Sequence, residues 1–393
     1  MQFELMADAE PDQLRRIELR GHVSLLELEQ AGVERARRVP SVGRDRDRNV
    51  LEFESHHTGG GVAWRSLAAT DDHVPLQEVL DDAVSDLVES GAPGALAMAV
   101  GPWGERFSVA GVDALGEPLR PTARLEVGSV TKVLVAALVL LLVEDGVFGL
   151  DDGVASIMPG LLRDDGSITL RSLLNHTSGL PDFFEDPAFR AAWQKEPSGE
   201  WPADELVGIT ERLPRREPGV FSYSNVNYVI VGLIVEAATG RSVTDVLEAR
   251  IFEPHGLATS SLPPTAIAVA GGLTSTAREI ARFLAALMRG DVVGEASLRE
   301  MLTTVPSDWP ESQGYGLGIE RVESLMGVGA RREAAWGHIG LGRATTVALA
   351  TQDGTRQVVF SAGTLLTSDA AWTVLDKTTW TVLRPSDPRP SAC

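Results

Sequence analysis

Residues 127–146 read VGSVTKVLVAALVLLLVEDG, a nearly continuous apolar run that ends at Gly146. A helix that is apolar on every side is typical of the protein interior rather than of the surface. The first turn carries Ser129, and Lys132 follows three residues later. At that spacing both side chains lie on one face of a helix. The stretch therefore predicts a buried helix whose N terminus holds a hydroxyl beside an amine.

This pair is the candidate nucleophile and base. A serine hydroxyl reacts poorly unless a neighbour accepts its proton, and a buried lysine can do so because burial lowers its pKa. The helix N terminus supplies N–H groups for a developing oxyanion. The alternative is that Ser129 only caps the helix and Lys132 is solvated, since S-x-x-K is a common string. The chain has only three lysines, which weakens that alternative.

Two further short motifs follow in the chain. Tyr223 and Asn225 lie between a Pro-Gly turn and a helical pattern that ends at Gly240, a position typical of side chains facing a cleft. A phenol can relay protons, and an amide can hold the amide or ester group of a substrate. The segment WGHIGLG, residues 336–342, precedes the strand pattern RATTVALAT, and its glycines let a substrate approach the backbone. Taken alone, each motif is also compatible with a structural role.

By composition and secondary-structure pattern, the chain divides into an N-terminal extension and a catalytic domain. Residues 1–74 carry ten Arg, no Lys and fourteen acidic residues, which is typical of a charged extension acting as a loosely ordered arm, a lid or a dimer element. Residues 75–393 form the catalytic domain, in which strand patterns at about 75–125 and 306–393 bracket helical patterns at about 126–305. This order predicts a sheet completed by the C-terminal part, with an inserted helical subdomain.

Composition and charge argue against several classes of function. The net charge of −20 repels nucleic acids and anionic membrane surfaces. The single cysteine, Cys393, argues against a disulfide framework and suits a reducing compartment. The N terminus lacks a secretory pattern, and the apolar run 133–143 is shorter than the ~20 residues of a membrane span, so we expect a cytoplasmic protein. No nucleotide or metal motif occurs, and we expect neither a cofactor nor a metal.

Taken together, the three motifs resemble a known signature. S-x-x-K at 129–132, Y-x-N at 223–225 and H-x-G at 338–340 occur in the order of the class C β-lactamase and DD-peptidase family, the penicillin-binding-protein-like serine hydrolases. Segments such as ITLRSLLNHTSGLPD and GYGLG are also similar to family segments in the family's order, and actinobacterial DD-carboxypeptidases look most similar.

The resemblance implies an α/β protein with the β-lactamase/transpeptidase-like fold, an antiparallel sheet of about five strands flanked by helices plus a helical subdomain. It also implies that Ser129 forms an acyl-enzyme and that Lys132 and Tyr223 share the proton transfers. Asn225, His338 and Gly340 would contact the substrate, and the N–H groups of Ser129 and Leu341 would form the oxyanion hole. Either Lys132 or Tyr223 could be the general base.

Two departures from the family pattern bear on the substrate. Ile339 and Leu341 stand where hydroxyl side chains usually help to bind a carboxylate, and a carboxylate without its hydrogen bonds costs several kcal/mol. His338 replaces a lysine and, with an ordinary pKa near ~6.5, is a weaker anchor for an anion at neutral pH. Arg343 is a nearby cation that could replace these groups in binding a substrate carboxylate. We therefore expect an apolar mouth at Ile339 and Leu341 and a small neutral ester or amide as substrate.

The expected function is a cytoplasmic esterase, or a transacylase of secondary metabolism that converts an ester into an amide with an amine acceptor, as in antibiotic biosynthesis. Two alternatives stay open. One is a DD-carboxypeptidase or β-lactamase acting on D-Ala-D-Ala peptides or β-lactams, and the other is a non-catalytic binding protein of the same fold. Mass mapping of a serine-directed probe separates the last from the other two.

Overall fold

Apart from two short strands near the N terminus, the computed structural model describes residues 75–163, 166–196, 199–309, 312–327 and 334–384. The two strands are β1, Ala36–Arg38, and β2, Leu51–Phe53, which pair in antiparallel register. The chain divides into two units, Met1–Asp72 and His73–Cys393, and both strands belong to the first. The rest of the predicted extension, 1–74, lies outside the described residues.

A seven-stranded sheet forms the centre of the second unit, and every neighbouring pair in it is antiparallel. The strand order is β4-β3-β11-β10-β9-β8-β7. The bounds are β3 Gly94–Gly101, β4 Gly104–Gly111, β7 Ser312–Tyr315, β8 Glu320–Val322, β9 Ala335–Leu341, β10 Thr345–Thr351 and β11 Gln357–Ala362. The predicted fold class is confirmed, with two strands more than the expected five because the short β7 and β8 extend one edge.

Helices cover both faces of this sheet. On one face lie α1, Leu76–Glu89, and the C-terminal α13, Asp369–Leu383. The buried residues of α1 recur at helical spacing, from Leu80 to Leu87, and pack with the alanines of β3 into one core. On the other face lies a larger core that contains α2, Thr131–Glu144, and α11, Ala277–Met288. The predicted buried helix is α2.

The remaining helices lie between α2 and β7. They are α3 Val154–Ile157, α4 Leu170–Leu174, α5 Pro187–Lys195, α6 Ala203–Arg212, α7 Val226–Thr239, α8 Val243–Leu247, α9 Glu253–His255, α10 Ala268–Gly271 and α12 Glu295–Met301. A two-stranded ladder of β5, Arg124–Glu126, and β6, Thr274–Thr276, ties the entry to α2 to the entry to α11. In the described part of the chain, no helix has both the length and the hydropathy needed to cross a bilayer.

Strand β9 passes very close to the turn that precedes α2. A Cβ on Gly340 would lie 2.1 Å from the carbonyl oxygen of Val127, so only glycine fits at position 340. Gly128 faces it with a φ of 55°, in the left-handed region that glycine adopts at little cost. A Cβ on Gly128 would lie 3.3 Å from the backbone nitrogen of Leu341. The two glycines therefore let the end of β9 lie beside Ser129.

We expect Gly340→Ala to lower both stability and activity, because its methyl group must push β9 away from the turn. Overpacking of this kind costs about 2 kcal/mol, and the displaced Leu341 N–H would also slow acylation of Ser129. Thermal unfolding and labelling by a fluorophosphonate measure the two effects. Gly342→Ala is the matched control, since a Cβ there meets nothing within 4 Å. The expectation would be contradicted if Gly340→Ala and Gly342→Ala had the same unfolding temperature and the same labelling rate.

Candidate active site

Ser129 lies in a single 3₁₀ turn, Gly128–Val130, that leads directly into α2. Thr131 fixes this turn, because its Oγ1 donates to Gly128 O at 2.6 Å and accepts from Leu273 N at 3.1 Å. The Ser129 side chain is partly exposed, while the residues after it are buried. The hydroxyl is thus held at the surface end of a rigid, buried helix.

Lys132 is fully buried beneath this hydroxyl, and its Nζ has three acceptors. They are Ser129 Oγ at 3.1 Å, Asn225 Oδ1 at 2.9 Å and Ala270 O at 2.5 Å. Burial lowers the pKa of Lys132 to about 7, although the carboxylates of Asp182 and Glu320 oppose that shift. A large fraction of Lys132 is therefore the free amine near neutral pH. In that form the 3.1 Å contact lets the Ser129 hydroxyl donate to Nζ.

Tyr223 contacts the nucleophile from the other side. Its phenol donates to Ser129 Oγ at 2.8 Å, and its ring centroid lies 4.8 Å from Lys132 Nζ. Burial raises the pKa of Tyr223 well above its ordinary value, and the hydrogen bond to Ser129 offsets only part of this rise. At neutral pH Tyr223 is a phenol and a proton donor, so the pKa directions favour Lys132 as the acceptor of the serine proton.

Asn225 is oriented by Asp182, a residue that the sequence analysis did not identify. One carboxylate oxygen of Asp182, Oδ2, accepts from both the backbone N and Nδ2 of Asn225, each at 2.7 Å. With Nδ2 fixed in this way, Oδ1 of Asn225 must face Lys132. Burial raises the pKa of Asp182, while hydrogen bonds from Phe184 and Asn225 act in the opposite direction. The available signal was an aspartate that ends the turn-rich run TSGLPD.

His176 supports the loop that carries Tyr223. It is the one non-glycine residue in the described part of the chain with a positive φ, 58°. Its Nδ1 accepts from Ser224 N at 3.2 Å, and its ring lies 4.2 Å from the Tyr223 ring, centroid to centroid. Burial, together with the nearby Lys132 and His338, holds the pKa of His176 well below its ordinary value. A neutral ring here positions Tyr223 and transfers no proton.

The structure does not place His338 where a substrate could touch it. The side chain is only 1% exposed, with Nε2 2.9 Å from Tyr315 Oη and Nδ1 2.9 Å from Glu320 Oε1. Both ring nitrogens therefore have protein partners. Neither Tyr315 nor Glu320 was a candidate from the sequence, because their pairing with His338 depends on how β7, β8 and β9 align.

The expected apolar mouth at Ile339 and Leu341 is only half present. Ile339 packs into the core on the α1 side of the sheet, so its proposed place at the mouth is wrong. The physical reason is the alternation of side chains along a strand, which turns Ile339 away from the face that His338 occupies. Leu341, at the strand end, is 53% exposed. Arg343 forms hydrogen bonds with both carboxylate oxygens of Glu126 and is already paired.

Aromatic rings form one wall beside the nucleophile. All three tyrosines of the chain, Tyr223, Tyr228 and Tyr315, lie around His176. Trp309, which is partly exposed, lies 5.0 Å from the Tyr223 ring. These rings form a wall beside Tyr223, and the partly exposed Trp309 adds apolar surface to it.

Comparison with protein families gives one match over most of the chain. A family model described as Beta-lactamase matches residues 80–375. Penicillin-binding protein 4* of Bacillus subtilis (strain 168) is 35% identical over 144 residues, 36% of this chain and 31% of that protein. A D-aminopeptidase of Brucella canis is 30% identical over 154 residues, 38% of this chain and 29% of that protein. The chain spans about a third of the length of these curated relatives.

Solved structures match over a longer range. A D-stereospecific amidohydrolase from Streptomyces sp. has a TM-score of 0.68 and 29% identity, covering 77% of this chain and 98% of that one. A D-amino acid amidase from Ochrobactrum anthropi SV3 also has a TM-score of 0.68, with 23% identity over 77% of this chain and 97% of that one. At that identity the second likeness shows the fold alone.

We expect the acylation rate of Ser129 to rise with pH and to level off above a midpoint of about 7, because only the free amine of Lys132 can take the serine proton. The rate of Ser129 labelling by a fluorophosphonate, measured from pH 5 to 9, tests this. Lys132→Ala should lower the rate of Ser129 labelling by at least about 100-fold. Lys195→Ala, a change of an exposed lysine, should leave the profile intact. A flat profile would show that Lys132 is not the base.

Asp182→Asn should both slow acylation and move its midpoint to lower pH. An asparagine has one acceptor oxygen, so it cannot accept from both Phe184 N and Asn225 as the two carboxylate oxygens of Asp182 do, and we expect the rate to fall about thirtyfold. The carboxylate also raises the pKa of Lys132, so removing its charge lowers that pKa further. The same pH series measures both effects, with Asp151→Asn, an exposed carboxylate, as control. A slower rate with an unmoved midpoint would leave Asp182 a purely structural role.

Proposed function

The chain belongs to the Beta-lactamase family of serine hydrolases, and from that premise we propose that it cleaves a neutral ester or amide through an acyl-enzyme on Ser129. The observation that carries the proposal is the contact of Ser129 Oγ with both Lys132 Nζ, at 3.1 Å, and Tyr223 Oη, at 2.8 Å. One partner accepts a proton near neutral pH and the other donates one. This pairing is what acyl transfer requires.

The reaction begins with attack of Ser129 Oγ on the substrate carbonyl carbon while Lys132 takes the hydroxyl proton. The carbonyl oxygen becomes an oxyanion, which in this proposal accepts hydrogen bonds from the N–H groups of Ser129 and Leu341. Collapse of this intermediate breaks the bond to the leaving amine or alcohol, which receives the proton held by Lys132 through the phenol of Tyr223. Water then attacks the acyl-enzyme in the same manner, with Lys132 again as base, and releases the acid.

Charge around the nucleophile supports a neutral substrate. Among the described residues near Ser129, His338 has both nitrogens engaged and Arg343 is bound to Glu126. Asp182 and Glu320 are buried carboxyl groups close enough to affect the pKa of Lys132. A substrate carboxylate would meet this buried negative charge, while His338 and Arg343, two basic side chains among the described residues, already have partners. An amide or ester without a carboxylate beside the reacting carbonyl avoids that charge repulsion.

Two further observations support an amide or ester with an apolar acyl group. Trp309 and Leu341 offer exposed apolar surface near Ser129. The names of two similar proteins, a D-stereospecific amidohydrolase and a D-aminopeptidase, describe cleavage of amide bonds. We therefore place amide hydrolysis ahead of the esterase function expected from the sequence. The cytoplasmic location stays a prediction.

We expect the chain to hydrolyse D-phenylalanine amide and p-nitrophenyl acetate at least about tenfold faster, in kcat/KM, than nitrocefin or a D-Ala-D-Ala peptide. The reason is that the last two substrates carry a carboxylate, whereas His338 and Arg343, in the part of the chain that the structure describes, are already paired. Ser129→Ala should abolish turnover. Ser90→Ala should not, because Ser90 is an exposed serine at the C-terminal end of α1. Faster turnover of the two carboxylated substrates would instead support a DD-carboxypeptidase or β-lactamase.

The same acyl-enzyme would give transacylation if an amine reached it before water. The exposed Leu341 side chain favours an apolar acceptor over water and is the observation behind this second candidate. Adding benzylamine to the ester assay and quantifying the amide product by mass spectrometry distinguishes the two outcomes. Amide formation that saturates with benzylamine supports transfer, and acid as sole product supports hydrolysis.

A further inference from the structure

A cavity lies between α11 and the sheet, away from Ser129. Its volume is about 530 Å³, and it is open to solvent on one side. The end of β3, the start of β4 and the turn between β10 and β11 form the other walls. None of Ser129, Lys132, Tyr223 and Asn225 lines it. Any ligand in this cavity therefore leaves the proposed acylation chemistry untouched.

The cavity exists because the residues that face each other across it are small. Ala281 and Ala285 of α11 form one wall, and Gly354 lies on the facing turn. Gly354 adopts a left-handed φ of 64°, and a Cβ there would lie 2.8 Å from Ala285 O, so the turn can approach α11 only as glycine. Val100, which is partly exposed, and Pro102, which is exposed, supply apolar surface to the wall. The interior is thus shaped to accept an apolar group.

The rim of this cavity is cationic. Arg278 and Arg282 lie on α11, and Arg289 is the residue directly after it; their spacings of four and seven residues place them within about 40° of one line along the helix. The chain as a whole carries a net charge of −20. A row of guanidinium groups stands out against that background.

The three arginines differ in whether they already form an ion pair within the protein. Arg278 pairs with Glu105, the one carboxylate among the lining residues, at 2.9 Å, and Arg289 pairs with Asp291 at 3.0 Å. Arg282 donates to the carbonyl oxygen of Gly256 at 2.8 Å. No carboxylate lies within ion-pair distance of Arg282 in the part of the chain that the structure describes. Its remaining N–H groups are available to an anion.

We propose that this cavity binds a small organic anion whose carboxylate or phosphate group contacts Arg282 and whose apolar body lies against Val100 and Pro102. A guanidinium group binds either anion with paired N–H donors, and such charge-assisted hydrogen bonds are about twice as strong as neutral ones. The apolar body replaces water against Val100 and Pro102. The chemistry selects an amphipathic anion over both an inorganic ion and a neutral apolar molecule.

Calorimetric titration with hexyl phosphate, hexanoate and 1-hexanol tests the proposal on the full chain, with Ser129 first blocked by a fluorophosphonate. Blocking excludes binding at Ser129, and the Arg282 variants assign binding to this cavity even if Ser129 does not react with the probe. We expect saturable binding of at least one anion and none of 1-hexanol over the same concentrations. Arg282→Gln should raise Kd about tenfold, and Arg282→Lys should recover part of the affinity. Ala285→Leu, which fills the cavity, should also weaken binding.

Arg299→Gln is the matched control, because Arg299 is an exposed helical arginine on α12, outside the lining. Its Kd should equal that of the unaltered chain. Thermal unfolding checks that each variant is folded, and the Lys variant keeps the test valid if the Gln variant is not. The proposal is overturned if neither anion binds saturably, if 1-hexanol binds as tightly as the anions, or if Arg282→Gln and Ala285→Leu bind with unchanged Kd.

Discussion

The buried amine of Lys132 is the constraint on which the rest of the site depends. An ammonium group removed from water is destabilised, and this desolvation lowers the pKa of Lys132 from 10.5 to about 7. This desolvation follows from the packing of α2, which is buried from Thr131 to Leu140. Three acceptors around Nζ limit the cost of burial. A base of suitable strength and a stable core are thus produced by the same packing.

Precise placement of the other groups follows from close backbone approaches. Gly128 and Gly340 let β9 lie against the turn that holds Ser129, so two N–H groups from distant parts of the chain can face one oxyanion. Asp182 fixes Asn225, and His176 fixes the loop of Tyr223. Asp182 has hydrogen-bond partners on both carboxylate oxygens. His176 is held through Nδ1 and by ring contacts, and its Nε2 has no hydrogen-bond partner among the described residues.

The sequence predicts the parts that depend on local pattern. The all-apolar helix, the S-x-x-K spacing and the strand patterns are local properties, and the resemblance supplied the fold. The sequence does not predict which side of a strand faces the site when the register is unknown, so Ile339 was placed at the mouth although it packs in the core. Asp182, Glu320 and Tyr315 were missed because their partners are 18 to 43 residues away along the chain. Long-range pairing of buried polar groups leaves little trace in a local pattern.

The strength of the base and the charge of the preferred substrate are linked. Asp182 and Glu320 raise the pKa of Lys132 against the effect of burial, which keeps it near neutral pH. The same negative charge acts on any group bound at Ser129, so it opposes a substrate carboxylate. A cation facing the cleft would relieve that opposition, but it would also lower the pKa of Lys132 further. Here His338 is enclosed between Tyr315 and Glu320, and Arg343 is paired with Glu126. For the proposed function, an arrangement that keeps the pKa of Lys132 near neutral is therefore expected to favour substrates without a carboxylate.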